Sequence, residues 1–213
     1  MNTPTILIYL EMVANSDLSI NLAMHVTVLA ALAAVLMIKG EWAKRYLFHF
    51  SIWMLFTSVT IRAITFGNPF HAVTFGVLGV LAFMHLVLNN MEIEPSGNKV
   101  QTAVALFFIL IGLWYPEFVH KNLGAMLLYS PMGVIPCPTL LATLGLMTLV
   151  YRGSGKLLYG TTIIIGFVYG IIGTFVLGVY LDAALLILSL YAAYVYFTAT
   201  PGNNLDAIRV RLR

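Results

Sequence analysis

Reactive chemistry in this chain is confined to a few points, and the most informative is a single cysteine. Cys137 stands in the run Ser130-Pro131-Met132-Gly133-Val134-Ile135-Pro136-Cys137-Pro138-Thr139. Three prolines and a glycine within eight residues do not fit a continuous helix, because each proline removes a donor and clashes with the preceding turn. A helix restarting with Pro138 at its first position, where the missing N–H is harmless, would put Cys137 at the N-cap. The helix dipole favours a thiolate there. Such a thiolate would ligate a soft metal ion or react with an oxidant; the plainer alternative is a rigid kink around a small, inert cysteine. Ser130, Pro131, Gly133, Pro136, Cys137, Pro138 and Thr139 form the candidate site loop.

The five histidines are the second source of chemistry. His71 and His85 are 14 residues apart on one predicted helix, the spacing of two haem ligands on one helix of a di-haem cytochrome b, but no second helix repeats it. His49 lies 19 residues before Asn68 and His85 lies 17 after it, so a hairpin turning at Asn68 brings His49 and His85 level. Neighbouring helices pack about 8–10 Å apart, which suits a hydrogen-bonded pair or one small metal ion better than a haem. Arg62 falls about 6 Å from the end of its predicted helix. It either snorkels to the headgroups or faces the bundle and pairs with Glu117, Asp182 or an anionic ligand. His71, Glu117, His120 and Asp182 fall on the same side as Arg62, and the five make a candidate polar vestibule above the Pro-Cys-Pro loop.

The elements that position these residues must lie in lipid. Only 9% of the 213 residues are charged while 61% are hydrophobic, and the mean hydropathy is +0.94. A water-soluble body needs about 25% charged residues, so soluble enzymes and disordered chains are excluded. The net charge of +3 is scattered, with no track for nucleic acid. Crossing roughly 30 Å of hydrocarbon takes about 20 apolar residues. Seven segments meet or approach that length, at 19–38, 46–66, 70–89, 99–118, 122–150, 157–179 and 181–200. The fold expected is an all-α polytopic bundle with its fifth span interrupted. Residues 1–18 precede it as an interfacial segment with Ile6, Leu7, Leu10 and Val13 on one side, and residues 201–213 follow as a basic tail. Lys39, Lys44, Arg45, Lys99, Arg152, Lys156, Arg209, Arg211 and Arg213 fall on one side and only Lys121 on the other. The basic side is cytoplasmic, which puts the N-terminus outside and the C-terminus inside.

Gly133-Val134-x-Pro136-Cys137-Pro138-Thr139, followed by Thr143 and Gly145-Leu146, resembles the signature of a family of uncharacterised bacterial multi-pass membrane proteins, a domain of unknown function. The pattern departs at Leu140, where a second threonine is expected. The resemblance implies a bacterial inner-membrane location and supplies no activity.

Three functions fit these readings. The first is an accessory or structural subunit of a larger membrane complex, held by other membrane subunits or by self-association. The second is a transporter or channel for a small solute, ion or metal, its path at the broken fifth span. The third is an electron-transfer subunit with histidine-ligated haem. No metalloprotease motif, catalytic triad order, phosphate loop or pair of in-membrane carboxylates is present, so no enzyme activity is expected.

Overall fold

The computed structural model describes residues 3–88, 91–119, 122 and 124–198. His120, Lys121 and the basic tail therefore lie outside the described residues. Among the described residues the regular structure is entirely helical: α1 Thr3–Asn15, α2 Leu18–Met37, α3 Glu41–Thr65, α4 Pro69–Leu88, α5 Lys99–Leu113, α6 Met126–Tyr129, α7 Pro136–Leu149, α8 Lys156–Ile171 and α9 Asp182–Thr198. A π-helical segment, Ile172–Leu177, extends α8. Four helices are long and apolar enough to cross a membrane: α2, α3, α4 and α8 with its π extension. The apolar helices α5, α7 and α9 are shorter.

Local chemistry sets these boundaries. Asp17 caps α2 by accepting from the Ser19 amide at 3.0 Å. The Ser19 hydroxyl, 2.5 Å from the same carboxylate, holds Asp17 below its ordinary value of 3.8. Asn98 caps α5 in the same way, accepting from the amides of Val100 and Gln101. Gly67, at a φ of 69°, turns the chain between α3 and α4 where a side chain would be strained. Helix α5 closes at Trp114 rather than running to residue 118, since Pro116 disfavours helical backbone at the residue before it.

Helix α7 is the axle of the bundle. It packs against α2, α3, α5, α8 and α9, and every one of its residues except Cys137 is buried. Fourteen residues give it a length of about 21 Å. The helix begins at Pro136 with Ile135 as N-cap, two residues ahead of the start expected at Pro138. Either proline is acceptable in the first turn, where no intrahelical acceptor awaits its N–H, and the extended backbone of Ile135 lets the earlier one lead.

Glycines let α7 and α8 approach their neighbours closely. A Cβ on Gly112 of α5 would lie 3.0 Å from the Pro138 carbonyl, and one on Gly145 2.8 Å from Ile109. Along α8, Gly166 meets Ser189 and Gly170 meets the Leu186 backbone. This is the small-residue face expected of membrane helix packing. Helix α1 closes one end of the bundle, burying Leu10, Val13 and Ala14 against Val119, Met126, Val134 and Ile135.

Candidate functional site

The proline-rich segment between α6 and α7 is buried from Ser130 to Pro136, and its amides from Ser130 to Ile135 are paired. Amides of Ser130, Met132, Val134 and Ile135 donate to the carbonyls of Met126, Ser130, Pro131 and Pro131. The Gly133 amide donates to Thr139 Oγ1 at 2.8 Å, and that hydroxyl donates to the Ile135 carbonyl at 2.7 Å. Ser130 Oγ donates to the Gly112 carbonyl at 3.1 Å. Asn21 Nδ2 donates to the carbonyls of Ala14 and Tyr129. His25 bridges α2 to this region, with Nδ1 2.7 Å from the Asn21 carbonyl and Nε2 3.0 Å from that of Leu113. Unpaired backbone inside lipid costs several kcal/mol per group, and here nearby carbonyls together with side chains of α2 and α7 supply the pairing. Most of the candidate loop is thus architecture, and only its end reaches a cavity.

That cavity has a volume of about 560 Å³ and opens where α1, the α3–α4 turn, the start of α7 and the π segment converge. Pro136, Cys137, His71 and Asp182 share its wall. Asp182 is 2% exposed and accepts from Tyr115 Oη at 2.5 Å; Cys137 shares the cavity wall with it. His71 Nδ1 lies 2.7 Å from Tyr169 Oη, and its amide donates to Asn68 Oδ1 at 3.1 Å. The Tyr169 ring packs 5.8 Å from Phe70. Gly173, in the π segment, sits so close to Asp182 that any Cβ would overlap the carboxylate. A π turn changes the helix register by one residue and is frequent at functional sites; this one brings Gly173, Val176 and Leu177 to the wall.

The candidate residues separate into groups. Cys137 is the second residue of α7 rather than its N-cap, and it lines the cavity together with Asp182. Arg62 does not join Asp182 or Glu117: its guanidinium lies 3.9 Å from Asp17 Oδ2 and 5.9 Å from the centre of the Phe66 ring. The cap of α2 is the nearer anion, placed beside α3 because those helices pack together. Glu117 is half-buried and does not line the cavity. His49 and His85 meet on α3 and α4 with nearly parallel rings, centroids 6.0 Å apart, and His49 also engages the Gly153 backbone. Among the described residues no three His, Cys, Asp or Glu side chains cluster as a metal would require.

Sequence reasoning missed Tyr115, Tyr169 and Gly173. Gly173 carried a signal, as the last member of the Gly166, Gly170, Gly173 series, but that series also reads as helix packing. Nothing in the spacing of the tyrosines separates them from the interfacial aromatics of any membrane protein.

Residues 8–207 match DUF6064, a family of unknown function, and the chain belongs to that family. No curated protein and no solved structure matches it.

Proposed function

We propose that this member of DUF6064 is a bacterial inner-membrane protein of seven spans that binds a small molecule from the outer side, as the recognition step of transport. The three shorter helices complete the count in this reading, with α6 and α7 forming the interrupted fifth span. The basic residues Lys39, Arg45, Lys99, Arg152 and Lys156 then face the cytoplasm, and the cavity opens outward. The observation that carries the reading is the cavity itself: its volume falls in the range of small-molecule sites, about 300–1,000 Å³, and its wall holds a buried carboxylate at the start of α9. Cys137 makes the test direct, because it is the only cysteine in the chain and lines the cavity. A membrane-impermeant maleimide added outside intact cells is expected to label it; complete protection from outside would overturn the reading.

An accessory role in a larger complex draws on α4, the least covered of the four long helices. Co-purification of a partner at fixed stoichiometry from native membranes would support it.

A further inference from the structure

We propose that the cavity takes a lipophilic organic cation for which Asp182 is the counter-ion, an assignment that rests on the cavity being a small-molecule site. Asp182 is almost wholly removed from water, and its hydrogen-bond partner, Tyr115, carries no positive charge. Among the described residues the ion pairs are Lys44 with Glu41 and Arg62 with Asp17, and no lysine or arginine lines the cavity. A carboxylate held out of water without a cation is costly, so it takes up a proton or a cationic guest.

The rest of the wall selects the guest. Tyr9, Phe66, Phe70, Phe118 and Tyr169 reach the cavity from four separate stretches of chain. Aromatic faces attract a cation within about 6 Å of the ring centre, most strongly when it is desolvated. Tyr169 is fixed by its hydrogen bond to His71, so its ring is held in place before a guest arrives. An anionic guest would meet Asp182, and a neutral one would leave it unbalanced. The absence of a three-ligand cluster among the described residues and the size of the cavity point to a bulky organic ion rather than a metal.

Calorimetry on the purified full-length protein in detergent, with tetraphenylphosphonium and the equally shaped anion tetraphenylborate, tests this. Saturable binding of the cation, at least tenfold tighter than the anion, is expected. Asp182→Asn should weaken cation binding tenfold or more, and Phe70→Ala, at a half-exposed ring, severalfold. Equal or tighter binding of tetraphenylborate overturns the cation assignment and leaves the small-molecule reading standing. An Asp182→Asn protein that folds and binds the cation as well as the wild type does the same. Should that variant fail to fold, the comparison of the two ions on the wild-type protein decides. If neither ion saturates, the cation assignment falls; if Cys137 is also protected from the external maleimide, the small-molecule reading falls with it.

Discussion

Asp182 depends on the absence of a side chain at Gly173 as much as on its hydrogen bonds. Gly173→Ala would drive a methyl group into the carboxylate, and overpacking of this kind costs about 1–3 kcal/mol. A lowered thermal midpoint in detergent is the expected result, accompanied by faster labelling of Cys137 as the shared wall loosens. Asp17 responds to acid. Its carboxyl is held below 3.8 by Ser19, so its contribution to stability is complete above that value and disappears as pH falls through the lower folded value. The difference in thermal midpoint between wild type and Asp17→Ala should therefore be constant at neutral pH and close below pH 3.8. Neither relation was legible beforehand. Arg62 and Asp17 lie 45 residues apart, and hydropathy gives the depth of a residue but not which helix stands beside it.

At the scale of elements, the start of α7 was readable to within two residues because proline acts locally. A proline beyond the first turn removes a helix hydrogen bond and clashes with the turn before it. What the prolines could not disclose is how the freed amides are satisfied, since the acceptor for Gly133 lies across the turn in α7. Thr139→Val keeps the volume and removes that acceptor. A buried donor left unpaired costs about 1–3 kcal/mol, so this variant should unfold at a lower temperature while retaining its helical circular dichroism. Thr139→Ser, which keeps the hydroxyl, should restore most of the loss. The π segment had no comparable signature: Gly178, in the left-handed conformation at a φ of 73°, marks only where it stops.

For the whole molecule, the distribution of charge supplies the expectation. Lys39, Arg45, Lys99, Arg152 and Lys156 sit at helix ends opposite the cavity, whereas α1 and the α3–α4 turn cover the cavity end. Reporter enzymes fused after Gly40 and after Gly97 should score cytoplasmic, and one fused after Gly67 external. Any other pattern would invert the orientation and place the cavity inside. The all-helical, apolar character was largely present in the composition, because too few charged residues remain to wet the exposed helix faces. The arrangement around α7 was not, because a helix enclosed on all sides meets neighbours instead of solvent. That enclosure gives α7 and α4 different tolerance to substitution. Along α4, one greasy side chain can replace another at little cost, whereas along α7 each residue is fitted by volume to surrounding helices, so change there requires matching change elsewhere.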